Sequence, residues 1–242
     1  MPPMSETSLA ADTLERLRAV SVATVAMQLL KRGLRHPFVQ GSRPLNPQRA
    51  RFAAEAYTLR TIPMREDLST PEVLADPEYP QRKAIEGCPP GQVLVCDCRG
   101  EQRAGILGDI LITRLMVRGV AAIVADGPMR DSAAVAAVEI PTFCTGSAAP
   151  ASVAAHFAAA VQDPIACGGV AVFPGDVLVG DQDGVCVIPR AIADDVARAA
   201  GEQEQIEAFI LECIRDGAPV PGTYPPNEAT LAAYEAWRRD RE

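Results

Sequence analysis

Histidine and lysine are almost missing from this chain. Only His36, His156, Lys31 and Lys83 occur. Two histidines cannot build a His-rich metal centre. His36 stands before Pro37 in a turn, and His156 sits in an Ala-rich run that reads as helical. Neither has a nucleophile signature beside it, so a Ser-His-Asp triad finds no support. Neither lysine lies in a strand that could present it centrally, which argues against Schiff-base chemistry. Aromatic residues make up only 5% of the chain, so Ala, Val, Ile and Leu must fill the core. No apolar run approaches the ~20 residues that a membrane span needs. The N-terminal stretch MPPMSETSLAADTLERL is acidic and has no apolar h-region, so it does not read as a signal peptide. The expected compartment is the cytoplasm, with reduced cysteines. Seven cysteines are present, and their spacings fit no zinc pattern. Cys96 and Cys98, one residue apart in VLVCDC, read as small core hydrophobes. Positive charge is outnumbered, giving a formal net charge of −8. Such a chain is repelled by phosphate backbones, so nucleic acid is not an expected partner.

Apolar residues make up 48% of the 242 positions, enough for a sizeable core. The periodicity predicts helices over residues 9–32, with Asp12 and Gly33 as caps, then a strand over 54–63. A short helix near 76–87, a strand QVLVCDC and a helix over 109–118 follow. VAAIVAD is apolar throughout, as expected of a strand covered on both faces. EIPTFCTG is a further strand candidate, followed by an Ala-rich helical run through residue 161. ACGGVAVF, DVLVG and GVCVIP read as short strands, and DQDG as a hairpin turn. A long helix spans 190–216. The Pro-rich APVPGTYPPN reads as an extended arm, and EATLAAYEAWRR as a final helix. The pattern is mixed α/β: one domain over residues 1–216, then an arm and helix over 217–242. Leu231, Tyr234 and Trp237 form a stripe too short to be stable alone. The stripe is expected to pack on a neighbouring subunit, the other possibility being its own domain.

The sharpest chemistry lies between Gly105 and Asp131, in GILGDILITRLMVRGVAAIVADGPMRD. A turn, a helix, a strand and a second turn can return both turns to one sheet edge. If the helix begins near Asp109, the N–H groups of Ile110 and Leu111 are free to bind a carboxylate. Gly105 and Gly108 let an anion approach the backbone. Asp109 can equally be an N-cap. In the second turn, Arg130 can fork onto a carboxylate or ketone oxygen. Asp131 can ligate Mg²⁺, which favours one or two carboxylates with water in the remaining positions. Each loop taken alone is equally compatible with a purely structural role.

Taken together, Gly108-Asp109, Arg118-Gly119-Val120, Asp126-Gly127 and Arg130-Asp131 resemble the signature of the 4-hydroxy-4-methyl-2-oxoglutarate/4-carboxy-4-hydroxy-2-oxoadipate aldolases. Their superfamily includes the regulator of ribonuclease activity A. The resemblance covers roughly residues 15–216 and continues through CGGVAVFPGDVLVGDQDGVCVIP. It implies a swivelling β/β/α sandwich with flanking helices, assembled as a homotrimer or hexamer with active sites between subunits. It further implies that Arg130 polarises the ketone and enolate oxygen. Asp131 would ligate Mg²⁺ or Mn²⁺, and Asp109 would act with metal-bound water in proton transfer. Gly108 and the amides of Ile110 and Leu111 would hold the pyruvate carboxylate. A Glu from a neighbouring subunit would hold metal-bound water. Glu207 matches best, with Glu204 as the competitor.

The implied activity is a divalent-metal-dependent class II lyase on a small 2-oxo acid. It would work by retro-aldol cleavage releasing pyruvate or by oxaloacetate decarboxylation. The alternatives are a non-catalytic regulator of a partner such as a ribonuclease, and a related lyase or dehydratase on sugar-derived acids. Arg60 and Arg65 could supply a cation for a second substrate carboxylate.

Overall fold

A computed structural model of the chain describes residues 9–239 and residue 241. The first eight residues of the N-terminal stretch read above as leaderless lie outside the described residues. Helices α1 (Thr13–Ala19) and α2 (Val22–Lys31) open the fold. Ser21 caps α2 by accepting the Thr24 N–H at 3.1 Å. Asp12 does not cap α1 with its side chain; its carboxylate pairs instead with Arg16 at 2.6 Å. Gly33 ends α2 at φ +85°, as its position suggests.

After β1 (Arg43–Pro44), the 12-residue β2 (Phe52–Pro63) is the spine of the sheet. One edge of β2 pairs in parallel with β3 (Val93–Asp97). Helix α3 (Pro80–Gly87) lies between them in sequence. Then follow α4 (Asp109–Val117), β4 (Ala122–Ala125), α5 (Ser132–Ala137) and β5 (Thr142–Cys144). Strands β3, β4 and β5 are parallel neighbours. The other edge of β2 is shared. Its first residues pair with β9 (Val177–Asp181), and its last residues pair with β6 (His156–Val161) past an irregularity at Arg60/Thr61. Strands β7 (Ile165–Cys167) and β8 (Val170–Val172) form a separate hairpin. Strand β10 (Gly184–Ile188) closes the order β1-β5-β4-β3-β2-β9-β10. This is the mixed α/β sandwich that was expected, with helices at both ends.

Alternation within β3 and β4 explains their near-continuous apolar sequence. Leu94, Cys96, Ile123 and Ala125 pack on the α3–α4 side. Val93, Val95, Ala122 and Val124 face the opposite core, under Phe52 and Phe143. Both faces are buried, so neither can be polar. A third cluster packs α1 and α2 against β9, β10 and the start of α6 (Ala193–Arg215).

Two expectations need correction. The Ala-rich run ending at residue 161 is not helical: after a short 3-10 turn at Ser152–Ala154 it is strand β6. Pairing along β2 outweighs the helix propensity of Ala, which is a weak prior. His156 therefore opens a strand and is fully buried. Second, the Pro-rich segment is not extended. It forms α7 (Val220–Thr223), a single irregular turn, closed by the Tyr224 N–H donating to Val220 O at 2.8 Å and followed by the Asn227 N–H donating to Gly222 O at 2.9 Å. This folds α8 (Glu228–Arg239) back onto α6 of the same chain. Trp237 and Tyr234 pack around Phe209 with ring centroids 5.6 and 5.9 Å away, and Trp237 Nε1 donates to Glu212 at 2.9 Å. Tyr234 and Trp237 of the stripe thus meet their own chain, while Leu231 stays 43% exposed.

The cysteines are core residues, as read. Six of the seven are buried and Cys213 is half-buried. Burial pushes the Cys88 and Cys186 thiols up to about 12. A thiol-specific reagent at neutral pH should therefore modify Cys213 first. The other six should react only after denaturant is added, as a stoichiometric thiol titration will show.

Glu204 ties α6 to α2. Its carboxylate accepts the Ser21 N–H at 2.9 Å and the Thr24 hydroxyl at 2.8 Å. Burial raises this carboxyl, but the Ser21 and Thr24 hydrogen bonds more than offset that and leave it below its ordinary value. A depressed carboxylate contributes stability above the unfolded-state pKa, and the contribution is lost as pH falls through the folded value. Glu204→Gln should cost about 1.5–3 kcal/mol at pH 7 in urea unfolding. The gap to the parent protein should close on acidification below about pH 4.

Candidate functional site

Strands β3 and β4 run parallel and end side by side, so the chain segments 98–108 and 126–131 leave the same sheet edge. Asp126 ties their roots together. Its buried carboxylate accepts the N–H groups of Cys98 at 2.6 Å, Gly100 at 3.2 Å and Gly168 at 3.3 Å. Backbone bonds then join the two segments directly. Ile106 N–H donates to Pro128 O at 3.0 Å, and Arg130 N–H donates to Leu107 O at 2.8 Å.

The approach is so close that an added Cβ would collide at both glycines of the first segment, with backbone at Gly105 and with a side-chain end at Gly108. A Cβ on Gly105 would lie 2.5 Å from both the backbone N and the Cγ of Arg130. A Cβ on Gly108 would lie 2.7 Å from Asp131 Oδ2. The structure therefore brings Gly108, Asp109, Arg130 and Asp131 into one small volume, as the sequence suggested.

The charged groups there are unusually free. The Arg130 guanidinium makes no ion pair or hydrogen bond among the described residues, and its Nε is buried without a partner. The Asp131 side chain is likewise unpaired among the described residues and is exposed. Its backbone is left-handed, at φ +52°. Aspartate tolerates that conformation better than most residues. The sequence pattern did not reveal this conformation.

Helix α4 begins at Asp109, with Gly108 as its N-cap. Asp109 is thus not the cap. Its Oδ1 accepts the Ile110 N–H at 2.8 Å, which orients the carboxylate across the helix start. That contact engages the Ile110 N–H within the chain. The Leu111 N–H makes no hydrogen bond among the described residues. Ile110 itself is 79% exposed, an apolar side chain left bare beside the site.

Other expected participants lie elsewhere. Glu204 is committed to the N-terminus of α2. Glu207, half-buried on α6, accepts from Gln203 Nε2 at 2.7 Å and lines a groove with Ile210, Leu211, Val220 and Tyr224. Neither glutamate touches Asp131 within the chain. Arg60 faces Asp163 at 3.9 Å, and Arg65 pairs with Asp67 at 2.6 Å. Both arginines already have carboxylate neighbours.

Among the described residues no cluster of three or more His, Cys, Asp or Glu could hold a metal ion. A Mg²⁺-type site does not require one, because that ion keeps several waters and is commonly held by one or two carboxylates. The exposed, unpaired Asp131 carboxylate above the bare Cα of Gly108 fits such a role. Its neighbour Asp109 adds a second carboxylate to the same turn.

The model of the RraA-like Aldolase/RraA family matches residues 18–187, which contain the whole of this arrangement. This chain belongs to that family. A Thermus thermophilus 4-hydroxy-4-methyl-2-oxoglutarate aldolase is 33% identical over 59% of this chain and 78% of its own length. A Halalkalibacterium halodurans protein provisionally named for the same activity is 38% identical over 50% of this chain, which spans only 58% of that relative. Among solved structures, Streptomyces coelicolor RraAS2, described as an unusual member of the RNase ES inhibitor RraA family, superposes with a TM-score of 0.75. It is 33% identical and covers 84% of this chain and 98% of its own. An uncharacterised Pseudomonas syringae protein shares the fold, with a TM-score of 0.77 at 24% identity over 90% of this chain and 99% of its own. No helix among the described residues is long and apolar enough to cross a membrane.

The two glycines should fail differently. At Gly105 the blocking atoms include backbone, which cannot yield. Gly105→Ala should lower the melting temperature by several degrees. At Gly108 the nearest atom ends a movable side chain. Gly108→Ala should keep the melting temperature within about a degree while turning Asp131 away. Differential scanning calorimetry of both variants checks the contrast.

Proposed function

We propose that this chain is a class II type lyase acting on a small 2-oxo acid, by retro-aldol cleavage that releases pyruvate or by decarboxylation of oxaloacetate. The observation that carries this reading is the unpartnered Arg130 guanidinium, buried at Nε and set beside the N-terminus of α4. A buried donor without a partner costs about 1–3 kcal/mol in the free protein. An anionic ligand offsets that cost. The identity to aldolases of the same family supports the same reading.

In this reading the substrate carboxylate lies at the start of α4, held by the Leu111 N–H and the helix dipole. Gly108 gives it room against the backbone. Arg130 donates to the 2-oxo oxygen. When the C–C bond breaks, its electron pair moves into an enolate, and the contact with Arg130 strengthens as charge develops there. Asp109, held by its bond to Ile110 N–H, takes the hydroxyl proton in the retro-aldol direction and returns a proton to the enolate carbon. Asp131 would hold Mg²⁺ or Mn²⁺, which would add Lewis-acid polarisation of the 2-oxo group. The exposed Ile110 and the in-chain separation of Glu207 from Asp131 fit a site completed by a neighbouring subunit, in a homotrimer or hexamer. In that assembly Glu207 of one subunit would reach the metal position of the next.

The likeness to Streptomyces coelicolor RraAS2 supports a second reading, a non-catalytic regulator of a partner protein. A pure binder has no need of an unpaired arginine and two carboxylates in one turn. Pyruvate release from oxaloacetate and from 4-hydroxy-4-methyl-2-oxoglutarate, with Mg²⁺ or Mn²⁺ and then with EDTA, separates the two. Turnover that EDTA abolishes supports the lyase. No turnover on either substrate, with no melting shift from millimolar oxalate plus Mg²⁺, supports the regulator.

Arg130→Ala should lower kcat by about 10²–10³. Its melting temperature should match or exceed the parent's, because no protein group loses a partner. Steady-state kinetics with a parallel thermal melt measures both. A variant with near-normal kcat would remove Arg130 from the chemistry.

A further inference from the structure

His156 is fully buried at the start of β6 and has no part in the chemistry above. Both of its ring nitrogens face protein groups. Nδ1 lies 3.1 Å from Arg99 Nη2, and Nε2 lies 3.4 Å from Ala104 O. An arginine can only donate. Nδ1 must therefore accept, which leaves the proton on Nε2, where it donates a long hydrogen bond to Ala104 O. The tautomer is set by its neighbours.

Arg99 is itself firmly placed. Its backbone is left-handed at φ +61°. Its Nη2 also donates to Ala155 O at 3.0 Å, and its Nε lies 3.5 Å from Thr61 Oγ1. Burial opposes a charge on His156, and the adjacent Arg99 opposes it further.

The carbonyl that His156 holds opens the segment on which the site depends. Ala104 precedes Gly105, where an added Cβ would lie 2.5 Å from the backbone N and Cγ of Arg130. Two residues on, Ile106 O accepts from the buried Gln81 Nε2 at 2.8 Å. Residues 104–107 are therefore gripped from one side by His156 and Gln81 and from the other by 128–130. A displacement of Ala104 passes to Arg130, because the bonds from Ile106 N–H to Pro128 O and from Arg130 N–H to Leu107 O tie the two segments together.

We propose that His156 is a positioning residue for Arg130. Held as the neutral Nε2–H tautomer by Arg99, it fixes Ala104 O and through it the wall against which Arg130 rests. The kinetic part of this proposal rests on the lyase reading; the structural part does not. Gln can imitate both contacts, donating through its amide NH₂ and accepting from Arg99 through its carbonyl. Leu can imitate neither.

The test uses ¹⁵N NMR of the full chain together with kinetics. Only two histidines contribute, and His36→Gln assigns them. The His156 ring should show a protonated Nε2 and a bare Nδ1 at neutral pH. The Arg130 Nε–H resonance, assigned by Arg130→Lys, should stay in place in His156→Gln and move in His156→Leu. In turnover, His156→Leu should lose about 10²-fold in kcat, the scale of a small misplacement, with a smaller change in KM. His156→Gln should recover most of it. An Nδ1–H tautomer or an imidazolium would overturn the proposal. So would a folded His156→Leu with an unmoved Arg130 resonance. A Gln variant as impaired as the Leu variant would mark His156 as packing only and also overturn it. If Leu does not fold, the tautomer and the Gln variant decide. If the parent protein turns over no 2-oxo acid, the lyase reading fails, and the resonance and tautomer measurements decide the positioning role alone.

Discussion

Two backbone hydrogen bonds, Ile106 N–H to Pro128 O and Arg130 N–H to Leu107 O, set the spacing on which the site is built. They act on segments already brought together by the parallel pairing of β3 and β4 and by the three N–H groups gathered on Asp126. Once those bonds form, residue 105 has no room for a side chain, and a side chain at residue 108 would displace the Asp131 carboxylate. The glycines are thus a consequence of the interlock, and the interlock delivers Arg130 and Asp131 to the N-terminus of α4. Little of this depends on the identity of the flanking core residues, provided both faces of β3 and β4 stay apolar.

The arrangement runs against local stability. A buried Nε without a partner, a left-handed Asp131 and an exposed Ile110 each cost something in the free chain. The surrounding core holds these features in place. Unsatisfied and strained groups gathered at one sheet edge are characteristic of a binding site rather than of a fold element. The electrostatics agree. A chain of net charge −8 repels anions as a whole, but screening limits that repulsion beyond ~8–10 Å. Within that distance, the unpaired guanidinium and the helix N-terminus offer an anion its partners, while Asp109 and Asp131 beside them offer carboxylates to a cation.

Patterns governed by local rules were readable in the sequence. The apolar doublet of β3 and β4, the Gly33 stop of α2 and the start of α4 at Asp109 all follow from periodicity or turn chemistry. The joint spacing of Gly108-Asp109 and Arg130-Asp131 pointed to a shared edge, and the glycine contacts bear that out. What escaped was set by distant partners. HFAAAV reads as helix by propensity, yet it becomes β6 because β2 offers it an edge. His156 could not be understood while it was placed in a helical run. Its meaning comes from Arg99, 57 residues away, and Ala104, 52 residues away. Helix α5, only six residues of SAAVAA, gave no periodic signal at all. The turn at 220–223 was hidden because proline content excludes regular structure without saying where the chain goes.

The C-terminal segment shows how one helix can divide its duties. Residues 193–200 of α6 pack into the α1–α2 core, and Glu204 closes that contact by binding the N-terminus of α2. Beyond it, Phe209 and Ile210 turn to α8 instead. Glu207 lies one turn past Glu204, about 4.5 Å along the axis. That single turn separates a carboxylate consumed by the fold from one that faces a groove. Leu211, Val220 and Tyr224, each roughly half exposed at 48%, 56% and 50%, line the same groove. This apolar groove around a carboxylate lies beyond residues 18–187 that the family model matches. The Glu204–Ser21 contact fixes the orientation of α6 and hence of that groove. The carboxylate that holds the N-terminus of α2 and the one that faces the groove therefore sit on successive turns of one helix, whose placement serves both.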